Sequence, residues 1–333
     1  MKYASIGSVI VTGAAGFIGM HVAERLLERG ERVLGIDNFN VYYDVALKEA
    51  RVQRLLRYPG FQMERMDIED YERLLDVCAR AGATRIVHLA AQAGVRHSID
   101  NPFAYERSNL AGHLSVLEAA RRLPIQHLVY ASSSSVYGDR SLRQSGFGET
   151  DSVDAPASLY AATKRSCELL SQSYASLYGI PQSGLRFFTV YGPWGRPDMA
   201  IYAFTDKIQN GAPIEVFGEG KMARDFTYID DIVDGVLGVL DKPPVRHEHE
   251  IFNIGNNRPV ELLDMIGMLE GALGRKAIRI MRPMQPGDVT TTCANIEKIS
   301  ALTGYSPKVK LDEGLENFVA WWRDYTRIQT LWL

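Results

Sequence analysis

Gly13-Ala14-Ala15-Gly16-Phe17-Ile18-Gly19 follows the short apolar run Val9 to Val11 directly, and a helical pattern carried by Val22, Leu26 and Leu27 continues from it until Gly30. A strand, a glycine-rich turn and a helix in that order are the opening of a βαβ unit. Outward from this segment, further short apolar runs stand at Arg32 to Ile36, Arg85 to Leu89, His127 to Ala131 and Gln182 to Arg186, with helically spaced segments between them. Strands that are buried on both faces read as continuous apolar runs, so the pattern predicts a doubly wound α/β fold on a parallel sheet. From about Tyr191 the punctuation changes: Gly192, Pro193, Gly195 and Pro197 crowd together. A second, smaller α/β domain is expected to begin there.

Composition sets the outer limits. The chain has 333 residues, 46% hydrophobic and 23% charged, which suits a folded protein with a sizeable core and excludes disordered and fibrous classes. A net charge of -3 gives no field to recruit nucleic acid or an anionic membrane, so an anionic ligand needs a local cluster of Arg and backbone N–H groups. Cys78, Cys167 and Cys293 are odd in number and form no paired motif, which argues against disulfides and zinc; no metal site is expected. With no signal core and no membrane-length apolar run, the reading is a cytoplasmic protein. The His-bearing stretch from Pro243 to Glu250 reads as a surface loop.

The glycines let backbone N–H groups approach a pyrophosphate, and the helix that follows places its positive end there. At the end of the second apolar run stands Asp37, 24 residues beyond Gly13, where a carboxylate accepts both hydroxyls of an adenosine ribose. A 2′-phosphate would meet a like charge, so NAD is favoured over NADP.

Beyond the run His127 to Ala131 the chain continues Ser132-Ser133-Ser134-Ser135-Val136-Tyr137-Gly138, and 25 residues after Ser135 comes Tyr160-Ala161-Ala162-Thr163-Lys164. Tyr and Lys at i and i+4 share one helix face. An ammonium beside a phenol favours the phenolate, which makes Tyr160 able to take a proton from a sugar hydroxyl while hydride leaves the same carbon.

Taken together, the glycine turn, Asp37-Asn38, His88-Leu89-Ala90-Ala91, the serine-rich segment and Tyr160/Lys164 resemble the extended short-chain dehydrogenases/reductases that act on nucleotide sugars. The resemblance covers nearly the whole chain. It implies a Rossmann-type sheet of about seven strands, a nucleotide sugar between cofactor and C-terminal domains, and a homodimer. The expected division is 1–186 plus about 227–257 for the NAD-binding domain, and about 187–226 plus 258–333 for the nucleotide-sugar domain. It also implies that Gly13, Gly16, Phe17, Ile18, Gly19, Asp37, Asn38, Asp67, Ile68, Leu89, Ala90, Ala91, Gln92, Asn109, Tyr160 and Lys164 meet the cofactor.

Gln92-Ala93-Gly94-Val95-Arg96, the run Phe187 to Ala200 and Met284 to Val289 are most similar to UDP-glucuronate 4-epimerases. That resemblance implies Tyr160, Lys164 and Ser133 as the catalytic set. It places Arg224 and Arg196 near the UDP pyrophosphate and Asp288 at the uridine ribose. Arg96, Ser133, Ser134, Ser135, Thr189, Met199, Ala200, Val216 and Phe217 are implied as further substrate contacts. Dehydratases and decarboxylases of the family carry an acid at the positions of Ser134 and Ser135, and its absence argues against both reactions. Neutral UDP-hexose 4-epimerisation is the competing activity, and a non-catalytic NAD-binding protein is disfavoured because Tyr160 and Lys164 are both present.

Overall fold

The computed structural model describes residues 7–139, 146–284 and 289–330, the side chains of 328–330 excepted. Twelve strands succeed one another: β1 Ser8–Thr12, β2 Val33–Asp37, β3 Phe61–Arg65, β4 Ala83–His88, β5 His127–Ser133, β6 Gln182–Phe187, β7 Thr189–Tyr191, β8 Ile214–Phe217, β9 Ala223–Tyr228, β10 His249–Ile254, β11 Pro259–Glu261 and β12 Arg279–Arg282. Seven of them form one parallel sheet in the order β3-β2-β1-β4-β5-β6-β10. All five residues of β1 are buried because helices cover both faces, and this is why the strand reads as an unbroken apolar run.

Strand order reverses between β1 and β4, and a crevice for a ligand opens beyond the carboxyl ends of the strands at such a switch point. The remaining strands build two small sheets, β7-β9-β11 and β8-β12, over that crevice. The doubly wound Rossmann-type architecture expected from the sequence is therefore the one observed, with the seven strands that the resemblance implies.

The edge strands β3 and β10 carry no apolar run. Gln62, Glu64 and Arg65 break up β3, and His249, Glu250 and Asn253 break up β10, so the pattern that betrays a central strand is missing. The expected loop Pro243 to Glu250 ends sooner than its composition suggests: His249 and Glu250 open β10, and the His249 ring stacks on Tyr130 at 5.8 Å.

Helix Leu159–Tyr178 starts at Ser158, whose side chain accepts from Ala161 N at 3.1 Å, and stops at Gly179 in the left-handed region. Between helices Pro102–Tyr105 and Gly112–Arg122 stands a π-helical turn, Glu106–Ala111, which a 3.6-residue periodicity does not reveal. One apolar cluster runs from Val9 and Val11 under the large sheet to Leu315 and Trp322 of the last helix, Leu311–Thr330, so both halves of the chain share a core. Cys78, Cys167 and Cys293 are free and buried. Among the described residues no helix is long and apolar enough to cross a membrane.

Candidate active site

A cavity of about 840 Å³ occupies the crevice above β1, β2, β4, β5 and β6. At its floor lies the glycine turn. Gly13 has φ +72°, and Gly16 N donates to Gly13 O at 2.9 Å. A Cβ on Gly19 would stand 2.0 Å from Gly13 O, so only glycine lets the first turn of helix Phe17–Glu28 approach this closely. No side chain caps that helix, which leaves its N-terminal N–H groups for a ligand.

Asp37 closes β2 and accepts from Ala15 N at 3.1 Å and Phe39 N at 2.8 Å. Burial pushes its carboxyl above the usual range, against the pull of those N–H groups and of the nearby Lys48 ammonium. Asn38 donates to Asp67 at 2.5 Å, and Ile68, Leu89, Ala90, Ala91 and Gln92 continue the wall. Glycines at 13, 16 and 19, an uncapped helix N-terminus and a carboxylate at the end of β2 fit NAD: phosphates at the turn, adenosine at Asp37.

Across the cavity, β5 delivers Ser133 at its last position, followed by a 3₁₀ turn, Ser134–Tyr137. Ser133 Oγ accepts from Ser135 N at 3.2 Å and donates to Ser135 Oγ at 3.1 Å, which sets the orientation of both hydroxyls. Tyr160 and Lys164 project from the first turns of helix Leu159–Tyr178 into the same cavity. Lys164, nearly fully buried, donates to Ala131 O at 2.9 Å. Tyr105 packs edge-on against Tyr160 at 6.1 Å and is itself held by Ala93 O at 2.8 Å, so the Tyr160 ring leans on an immobilised one.

The upper wall comes from the small sheets and the loop before helix Ala200–Gln209. Thr189 on β7, Phe217 on β8 and Arg224 on β9 face inward with Arg96, Arg196, Met199 and Ala200. Arg96 lies over the Phe217 ring at 5.1 Å. Arg196 binds Asp198 with both Nε, 3.0 Å, and Nη2, 2.5 Å. Burial alone would raise the Asp198 carboxyl, but Arg196 and Tyr42 override it and hold it below the usual range. Arg224 donates to Ala223 O at 3.0 Å and Thr290 O at 3.2 Å, while its neighbour Asp225 turns the other way and accepts from the N–H groups of Asn256, Asn257 and Ala294.

A family model described as the NAD dependent epimerase/dehydratase family matches residues 9–255. The chain belongs to this family. It is 45% identical to a probable UDP-glucuronate 4-epimerase of Rhizobium meliloti, over 96% of this chain and 98% of that protein. A crystal structure of the UDP-glucuronic acid 4-epimerase from Bacillus cereus in complex with UDP-glucuronic acid and NAD superposes with a TM-score of 0.88 at 37% identity, covering 96% of this chain and 99% of the other. The UDP-glucose 4-epimerase of Thermotoga maritima with UDP-glucose gives 0.86 at 29% identity, over 96% and 99%. The resemblance read from the motifs is thereby borne out, including the NAD-dependent class of the enzyme.

Within this epimerase/dehydratase framework, the cavity gathers every residue expected at the cofactor except Asn109. Asn109 sits behind the wall: it accepts from Gln92 N at 2.8 Å and donates to Gln92 O at 3.1 Å and Thr163 Oγ1 at 3.0 Å. It braces the site without reaching the ligand space. Of the expected substrate contacts, Val216 is corrected too. Residues alternate along β8, so its side chain enters the core while Glu215 and Phe217 line the cavity. Asp288 lies outside the described residues.

Sequence reading passed over Glu168, one turn beyond Lys164. Its buried carboxylate takes Arg186 Nε at 2.8 Å, Arg186 Nη2 at 2.9 Å and Ser132 Oγ at 2.7 Å, locking helix Leu159–Tyr178 to β5 and β6. The spacing Tyr160, Lys164, Glu168 at i, i+4, i+8 was a usable signal. Lys48, Tyr42 and Asp198 also line the cavity unannounced. Burial lowers Lys48 to about 8, with Asp37 opposing the shift.

Proposed function

We propose that this protein interconverts UDP-glucuronate and UDP-galacturonate by inverting C4 of the sugar. The observation that carries the reading is the convergence of four hydroxyls, those of Ser133, Ser134, Ser135 and Thr189, on the cavity that holds Tyr160 and Lys164. NAD, when bound, accepts hydride from C4 and returns it, with no net redox change. Tyr160 takes the C4 hydroxyl proton as the C–H bond breaks, and gives it back to the 4-oxygen after the 4-keto sugar has turned in the pocket. Lys164, fixed on Ala131 O, holds its ammonium one helical turn from Tyr160 on the same helix face. Arg196 and Arg224 suit the UDP phosphates, which leaves the hexose loosely held and free to rotate.

The 4-keto uronic acid has its carboxylate β to the ketone and loses carbon dioxide when the breaking bond aligns with the carbonyl. Serine and threonine hydroxyls that hold the carboxylate out of that alignment protect it. No acid stands at positions 134 and 135 to assist water loss or protonation of a carbanion. Ser134→Ala combined with Thr189→Val is expected to release UDP-pentose; unchanged product ratio and unchanged binding would remove these hydroxyls from the argument.

The same reading divides the chain into a cofactor part, 1–186 plus about 227–257, and a nucleotide-sugar part formed by the rest. It includes a homodimer, supported by Phe103, Leu114, Leu169 and Leu177, which lie exposed on helices Pro102–Tyr105, Gly112–Arg122 and Leu159–Tyr178. Light scattering on the purified protein checks the mass.

The test of function is incubation with UDP-glucuronate and no added reductant, with products resolved by anion exchange and mass spectrometry. A mixture of the two uronic acids, lost in Tyr160→Phe, supports the proposal. UDP-pentose from the unaltered protein would make it a decarboxylase. Conversion of UDP-glucose alone would support the neutral-hexose reading, which the Thermotoga maritima structure keeps in play.

A further inference from the structure

Arg51 is fully buried on helix Val45–Leu55, and among the described residues no carboxylate lies within ion-pair distance of it. Its guanidinium nevertheless uses all five donors. Nη1 donates to Ala15 O at 3.0 Å and to Tyr43 Oη at 2.6 Å; Nε and Nη2 donate to Trp194 O at 3.1 and 2.5 Å; Nη2 also donates to Gly195 O at 3.1 Å. One side chain thus joins the glycine turn to the loop at the far side of the cavity. A buried guanidinium paired only with neutral oxygens is costly, and these carbonyls need donors once buried.

The loop it grips is conformationally demanding. Trp194 has φ +63°, a region that favours glycine, and its ring packs on Trp321 at 5.4 Å and Tyr325 at 5.6 Å. His21 Nε2, on the cofactor-side helix Phe17–Glu28, holds Pro193 O at 3.0 Å, so three consecutive carbonyls of the loop are bound by that half. Two residues further on, Arg196 and Asp198 line the cavity, and Tyr42 Oη donates to Asp198 at 3.0 Å from the segment that follows Asp37. At the other end, Ala15 N is bound to Asp37.

We propose that Arg51, seconded by the Tyr42–Asp198 bond, couples the two ligand sites. Cofactor seated in the glycine turn fixes the Pro193–Asp198 loop in the register that presents Arg196 to the nucleotide sugar. By reciprocity, the sugar holds the cofactor in place. The inference rests on the reading of the cavity as a nucleotide-sugar site beside NAD. The coupling serves an epimerase directly: while the sugar is in its keto form the cofactor is reduced, and escape of either would strand the other. Arg51 touches neither reacting atom and acts as a positioning residue.

The test follows release of cofactor. Bound NAD is exchanged for fluorescent NADH, the protein is diluted into excess NAD, and the fluorescence decay is timed with and without saturating UDP-glucuronate, which the reduced enzyme cannot oxidise. In the unaltered protein the sugar nucleotide is expected to slow release about tenfold, within the usual range of such couplings. Arg51→Lys keeps the charge with three donors in place of five, and the slowing should fall below about twofold. Tyr42→Phe removes one bond from a half-exposed ring and should leave about a threefold effect. Equal slowing in all three proteins overturns the proposal, and should Arg51→Lys fail to fold, an undiminished effect in Tyr42→Phe overturns it alone. Calorimetry separates the two levels of inference. If UDP-glucuronate binds the unaltered protein but leaves release unchanged, the coupling is wrong; if it does not bind, the nucleotide-sugar reading itself fails.

Discussion

The glycine turn and the Pro193–Ala200 loop face each other across one cavity, yet different forces hold them. The turn continues a strand paired on both sides, Val11 lying opposite Gly35 and Val87, and its path is dictated by glycines within the turn itself. The loop continues β7, a three-residue strand paired only with β9, and is held by side chains that arrive from positions 21, 42 and 51. Structure set by backbone pairing and local glycines is written where it occurs. Structure set by distant side chains is written elsewhere.

Acid should act most severely on the side of the large parallel sheet, where His88 ends β4 and His127 opens β5. Burial keeps His88 neutral well below its ordinary range, lowers His113 to about 3 and lowers His127 to about 4. Below about pH 6.5 the unfolded chain binds protons at these sites that the folded chain refuses, so stability falls as pH falls from 6.5 toward 4. Three buried imidazoles act in the same direction, so the melting temperature should fall steadily across that window. A series of thermal melts from pH 7 to 4.5 checks this; a flat profile would show that protonation is accommodated.

Tyr160→Phe should lower turnover about a thousandfold while leaving bound NAD and UDP affinity within twofold, as expected for loss of an acid/base group alone. Rates, cofactor absorbance and calorimetry on one preparation separate these quantities. Gly19→Ala tests the turn as backbone: its Cβ would press on Gly13 O, and NAD content after purification should fall at least about tenfold. The mildest expected effect is on the loop side. Arg224→Met should raise KM for UDP-glucuronate about tenfold with turnover within twofold, because a phosphate contact binds substrate and transition state alike. A fall in turnover instead would place Arg224 nearer the chemistry.

Legibility followed the same division. The central strands, the turn, Asp37 and the Tyr160/Lys164 face could be read because each depends on neighbours within a few residues. Strands β3 and β10 could not, since an edge strand is half polar. Val216 was misread because its placement came by resemblance, without the alternation of β8. Glu168 had a spacing that would have found it. Arg51 had none: in a helix of mixed charge it reads as one more solvated arginine, and only the fold shows that it is enclosed by carbonyls.

The apolar cluster that joins Val9 to Trp322 bears on how such proteins diversify. Two halves of a chain that pack into one cluster cannot be exchanged as cassettes between relatives, because the cut would pass through tightly interlocked side chains. A change of sugar preference must instead be made on the rim, in the loop that Arg51 grips and at the serines beyond β5, where a residue can be exchanged without reopening the interior.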